Sequence, residues 1–188
     1  MRHIFVALNL SDEIKERLIK LQKKIAQYLP NFRWIKPVNL HLTLVFLGRV
    51  DPKKIVKLIE IIKKTVENVE PFTIDFARVG VFPESRRAKI IWVGVEESSI
   101  LGALNQTFYR KLKKNNFVLD ERDFTPHVTI GRTKEKVNKE AVNYVLSKYP
   151  NSKFGQLKVE SIDIMESELK RSGAEYQIIE QIKLKNGG

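Results

Sequence analysis

Apolar residues along this chain follow two rhythms, and the order in which the rhythms alternate occurs twice. Residues 4–8 form a short apolar run of strand length. Ser11 then supplies a helix cap, with Asp12 and Glu13 in the first turn, where the helix dipole favours acids. Ile14, Leu18, Leu21, Ile25 and Tyr28 recur at helical spacing, which predicts an amphipathic helix over 11–29. Pro30 and Pro37 bracket a predicted loop carrying Arg33, Trp34 and Lys36, and a second strand-like run covers 40–46. Asp51-Pro52 reads as a cap with a first-turn proline, and Val50 and Ile55 are placed as a hydrophobic staple. Ile55, Leu58, Ile59, Ile62 and Val66 are the expected buried stripe of that helix, and residues 72–79 alternate as a strand.

The second half repeats the order. Residues 88–94 predict a strand, and Ser98 opens a helix with Leu101, Leu104, Phe108 and Leu112 on one face. A charged, proline-containing loop over 120–126 leads into a strand at His127. Asn138 caps a last helix, stapled by Val137 and Val142, and strand-like segments near 154–165 and 175–184 follow. Phe5 precedes His41 by 36 residues, and Ile91 precedes His127 by the same 36. We therefore expect one domain over 1–188, built from duplicated β-α-β-α units at roughly 1–80 and 88–165. The fold class is α+β: two pseudo-symmetric lobes, each a mainly antiparallel sheet flanked by helices, whose exposed faces meet in a central cleft.

Composition narrows the setting. Hydrophobic residues at 43% and charged residues at 30% suit a globular chain and exclude a disordered one. No apolar stretch approaches the roughly 20 residues of a membrane span, and the first strand lacks a signal-peptide pattern. Cysteine is absent, so no disulfide framework exists, and a cytoplasmic protein without membrane attachment is the expectation. A net charge of +12 attracts polyanions, of which nucleic acid is the commonest in cytosol.

The chemistry-bearing residues lie in the two central runs. His41-Leu-Thr43 and His127-Val-Thr129 are one device written twice, 86 positions apart, and hold two of the three histidines in the chain. In a strand, side chains two apart share a face, so each histidine and its threonine point the same way while Leu42 or Val128 points into the core. Imidazole titrates near 6.5, so one ring can accept a proton while the other donates one. Displacement at phosphorus uses such a pair, and threonine hydroxyls can bond the non-bridging oxygens. With no cysteine and no evident carboxylate beside either histidine, a zinc site lacks ligands, and no metal or other cofactor is expected. No Walker-type phosphate loop is present.

The segments Trp34-Ile-Lys-Pro37-Val-Asn-Leu-His41-Leu-Thr43-Leu-Val-Phe-Leu-Gly48 and Phe124-Thr-Pro-His127-Val-Thr129-Ile-Gly-Arg132 resemble the two signatures of the two-histidine phosphoesterases. Within them the chain is similar to the LigT-like RNA 2′,3′-cyclic phosphodiesterases, historically called 2′-5′ RNA ligases. The likeness extends to the opening strand at 2–8, Gly80-Val-Phe-Pro83, Ile91-Trp-Val-Gly94, and Met165-Glu-Ser-Glu-Leu169 with Gly173 and Tyr176. It implies metal-independent hydrolysis of RNA 2′,3′-cyclic phosphate ends to 2′-phosphates, with reverse 2′-5′ ligation on the same site. By the same resemblance His41 is the general acid that protonates O3′, and His127 is the general base on water. Thr43, Thr129 and Arg132 hold the phosphate. The implied partner is an RNA or oligonucleotide with a cyclic phosphate end, and no obligate protein partner is indicated.

Two points stay open in the residues themselves. The lobes are alike, so the motifs alone do not separate acid from base. Arg132 is five residues beyond His127, hence on the opposite face of a regular strand unless a bulge at Gly131 intervenes. Phe46 occupies the corresponding place in the first motif. The alternative function is a non-catalytic RNA- or nucleotide-binding module using the same cleft. Arg33, Lys36, Arg86, Arg87 and Arg122 are candidate cleft-rim cations, and Phe5, Trp34 and Trp92 are either base platforms or packing residues. His3 reads as an ordinary strand residue.

Overall fold

Strands β3 (His41–Val50) and β6 (His127–Arg132) lie side by side in the middle of one curled antiparallel sheet, joined through the pair Leu42–Val128. The computed structural model describes residues 2–170 and 173–185. The other strands are β1 (Arg2–Asn9), β2 (Arg33–Trp34), β4 (Phe72–Phe82), β5 (Ile90–Val95), β7 (Lys153–Val159), β8 (Ser161–Lys170) and β9 (Gly173–Lys183). Their order across the sheet is β7-β4-β5-β6-β3-β1-β8-β9, with the short β2 beside β6. The central β3–β6 contact divides this into two lobes of four main strands each.

Neither lobe is a contiguous half of the chain. β4 follows β3 in sequence yet pairs with β5 and β7, while β8 follows β7 yet pairs with β1 and β9. The helices cross in the same manner. Helix α1 (Asp12–Ala26) follows β1 but packs on β6 and β7, and α3 (Ser99–Lys114) follows β5 but packs on β3. Helix α2 (Ile55–Val66) packs on α3 and β9, and α4 (Lys139–Lys148) meets the turn that follows α1 through the ring pair Tyr144–Tyr28. One continuous core therefore underlies both lobes, from Ile4, Val6 and Leu8 to Ile91, Val93, Val128 and Ile130. On the opposite face of β1 lies a separate small cluster of Phe5, Ala7 and Met165, with Tyr176 against it.

The local signals mostly act where they were read. Ser11, Ser98 and Asn138 each accept a hydrogen bond from the backbone three residues on, at Ile14, Leu101 and Ala141. Asp51 caps a single 3₁₀ turn, Pro52–Lys54, which then feeds α2. Three expectations are corrected. Ile61 rather than Ile59 joins the fully buried stripe of α2. The loop between Pro30 and Pro37 contains β2, because Arg33 and Trp34 pair with Arg132 and Gly131. The stretch near 154–165 is two strands parted at Glu160, which run in different lobes at opposite sides of the sheet.

Candidate active site

Both His-x-Thr pairs stand on the sheet face that the helices leave uncovered. Along β3, His41 and Thr43 are half-buried while Leu42 and Leu44 are buried in the core; His127, Thr129, Val128 and Ile130 repeat this on β6. The Leu42–Val128 pairing is antiparallel, so its flanking positions set His41 across from Thr129 and Thr43 across from His127. The two motifs thus interleave at the seam between the lobes.

Each imidazole is held by the main chain just before it. Nδ1 of His41 lies 2.8 Å from the carbonyl of Asn39, and Nδ1 of His127 lies 2.6 Å from the carbonyl of Thr125. A carbonyl oxygen only accepts, so Nδ1 carries the proton in both rings and Nε2 is the nitrogen that gains or loses one. The Asn39 carbonyl is presented by a 3₁₀ turn, Pro37–Asn39, and Asn39 is itself tied to β9 by the hydrogen bond its Nδ2 donates to the carbonyl of Ala174.

Aromatic rings enclose both histidines. Phe5 lies 4.8 Å from the His41 ring, and Tyr176 stands edge-on to it at 5.0 Å. Phe82 stands edge-on to His127 at 5.1 Å, with Trp92 at 6.0 Å. This enclosure sets the electrostatics. Burial holds His41 well below the ordinary imidazole value, at about 4; Arg132 and His127 push the same way, and the Asn39 bond pushes back. Burial also lowers His127, followed by the charges of Arg132 and Arg122 against the opposing bond to Thr125. Without a bound anion both rings are neutral at pH 7.

Arg132 reaches this face because β6 is bulged. Thr129 pairs with Trp92 and Gly131 with Ile91, so two steps on β6 meet one step on β5 and Ile130 is the extra residue. The parity of the strand reverses there, and Arg132 returns to the face of His127, exposed. β3 does the same: Thr43 pairs with Ala7 and Val45 with Val6, leaving Leu44 as the extra residue. Phe46 is thereby returned to the face of His41, with its ring stacked 6.4 Å from Phe5. Gly131 has no room for a side chain, since a Cβ would stand 2.9 Å from Ile91 and 3.0 Å from the Trp34 ring.

The remaining candidates separate. Phe5 and Trp92 line the site, whereas Trp34 packs on the core over Gly131. Arg33 is exposed next to Arg132 on the paired strand, and Arg122 is held by Asp120 close enough to act on His127. Lys36 and Arg86 are exposed, Arg87 is paired with Glu84, and His3 pairs with Arg49 and Ser167 on β1. Among the described residues no three His, Asp or Glu side chains gather to hold a metal ion. No described helix is long and apolar enough to cross a membrane. Residues not singled out from sequence are the ring of Phe82, the amides of Gln22 and Asn105, and the Asn9–Asp163 pair, where Nδ2 of Asn9 donates to the buried Asp163. Gln22 alone had a visible signal, a polar residue beside Leu18, Leu21 and Ile25 on an otherwise apolar helix face.

Residues 3–184 match the model of the AKAP7 2′5′ RNA ligase-like domain. An RNA 2′,3′-cyclic phosphodiesterase of Archaeoglobus fulgidus is 34% identical over 174 residues, covering 93% of this chain and 96% of that protein. The enzyme of the same name from Methanothermobacter thermautotrophicus is 28% identical over 180 residues, covering 96% and 97%. Among solved structures, a Thermus thermophilus protein superposes with a TM-score of 0.85 at 22% identity, covering 100% of both chains. Escherichia coli LigT complexed with 3′-AMP superposes with a TM-score of 0.77 at 23% identity, covering 97% of this chain and 98% of LigT.

Proposed function

Since this chain belongs to the 2′5′ RNA ligase-like family of RNA 2′,3′-cyclic phosphodiesterases, we propose that it opens the 2′,3′-cyclic phosphate at RNA ends to a 2′-phosphate. The observation that carries the reading is the matched treatment of two imidazoles: each has Nδ1 fixed on a backbone carbonyl, so that Nε2 is the working atom at the lobe seam.

In the reaction His127 takes a proton from water as its oxygen bonds to phosphorus. The P–O3′ bond breaks, and His41 returns a proton to O3′. The products are a 2′-phosphate monoester and a free 3′-hydroxyl. Thr43 and Thr129 donate to the non-bridging oxygens, and Arg132 offsets their growing charge. A 5′-hydroxyl taking the place of water gives a 2′-5′ linkage by the same steps. The assignment of His41 as acid comes from the family pattern, and the burial of His41 adds a condition to it. A ring held at about 4 becomes a competent acid only when the phosphate anion sits beside it and restores the charged form.

The test is incubation with nucleoside 2′,3′-cyclic phosphates in EDTA. A chelator-resistant 2′-phosphate product is expected. Measurable nucleotide binding without turnover overturns the proposal in favour of a binding module.

A further inference from the structure

The two bulges that return Arg132 and Phe46 to the cleft are each supported from outside the cleft by a helix side-chain amide. The carbonyl of Ile130, the extra residue of β6, accepts from Nε2 of Gln22 on α1 at 2.9 Å and from the backbone N–H of Ile35 at 3.0 Å. The same Gln22 amide donates to the carbonyl of Ile35 at 2.9 Å, tying β2 to the bulge. On the other lobe, the carbonyl of Leu44, the extra residue of β3, accepts from Nδ2 of Asn105 on α3 at 2.7 Å. Each amide comes from the helix that crosses under the opposite lobe. The duplication does not align them, since Gln22 lies 11 residues after its cap, Ser11, and Asn105 only 7 after Ser98.

We infer that Gln22 and Asn105 are positioning residues, each holding the bulge behind one His-x-Thr pair and so fixing what stands on the cleft face three residues beyond the threonine. A bulge turns a carbonyl out of the ladder, and a buried carbonyl needs a partner. Gln22 is only 6% exposed, on a helix face otherwise filled by Ile14, Leu18, Leu21 and Ile25. A methionine of similar volume would pack there better; what the amide adds is the pair of bonds to β6 and β2. Removing the Gln22 amide leaves the Ile130 carbonyl with the Ile35 N–H alone and unties Ile35 from α1; this favours regular pairing, and a one-residue slip carries Arg132 to the opposite face. On β3 the residue delivered is aromatic, and on β6 it is the cation, so Gln22 governs the charge at the site.

The role of Arg132 on the phosphate rests on the phosphodiesterase reading; the role of Gln22 in placing Arg132 does not. The experiment compares Gln22→Met, Arg132→Met, the double variant and Leu18→Ala. It follows imidazole titration by NMR and kcat/KM with a nucleoside 2′,3′-cyclic phosphate. Because Arg132 depresses both rings, Gln22→Met should move both titrations upward as Arg132→Met does, while Leu18→Ala lowers stability with native titrations. Gln22→Met should lose roughly 10- to 100-fold in kcat/KM, a loss that a misplacement of about 1 Å can produce, with little further loss in the double variant. Native titrations in Gln22→Met, or losses that multiply in the double variant, overturn the inference. Shifted titrations with unchanged turnover in all variants support Gln22 and remove Arg132 from the phosphate; shifted titrations with no turnover in the native protein support Gln22 and refute the phosphodiesterase reading. If Gln22→Met does not fold, Gln22→Asn, which keeps the amide but shortens its reach, gives the same comparison.

Discussion

A methyl group on Gly80 would stand 2.1 Å from Cζ2 of Trp92, its direct cross-strand partner. Gly94 also leaves space for the ring, since its Cβ would lie 3.1 Å from Cζ3. The indole therefore lies flat on a floor without side chains, and it packs at tilted angles against the rings of Phe82 and His127. Gly80→Ala should evict it. The expected cost is about 1–3 kcal/mol for overpacking, read by urea denaturation, with a red shift of tryptophan emission. Loss of the enclosure should also raise the His127 titration. An unchanged spectrum and titration would show that the floor is not what holds the ring.

His41→Ala and His127→Ala should each lower turnover by roughly 10²- to 10⁴-fold with the native circular dichroism spectrum retained. Thr43→Val and Thr129→Val should cost less, because each removes one neutral hydrogen bond. A near-native rate in either histidine variant removes that ring from the chemistry.

Acid should destabilise the fold through His41. Its folded value, about 4, lies below the ordinary 6.5, so the unfolded chain binds the proton more readily. The stability it contributes is present above about 6.5 and is lost as pH falls towards 4. Urea midpoints for His41→Gln should fall less steeply than native across that window. Asp163 acts with the opposite sign. Burial raises its carboxyl despite the amides of Asn9 and Gln181, so its contribution is lost as pH rises through the folded value. Asp163→Asn should therefore gain stability relative to native at pH 7 compared with pH 3.

The profile of kcat/KM against pH should be bell-shaped and displaced to the acid side of 6.5, because both rings are depressed in the free protein. Arg132→Met should move it to higher pH while lowering its maximum. Saturating phosphate should raise both imidazole titrations by NMR; no movement would place the anion elsewhere.

Local sequence was enough to specify most of the elements and which side chains share the exposed face of β3 and β6. Caps at Ser11, Ser98 and Asn138 act locally, and so does the alternation that sends Leu42 and Val128 inward while His41 and Thr43, His127 and Thr129 share a face. These depend on neighbours within a turn or a pleat, and such neighbours are written side by side in the chain. The exchange of β4 and β8 between lobes, the break at Glu160, and the face on which Arg132 stands arise only in the assembled sheet. A break without glycine or proline leaves no local mark. A bulge depends on a carbonyl finding a partner 108 residues away, as Ile130 finds Gln22, and no periodicity records a bond between segments so distant.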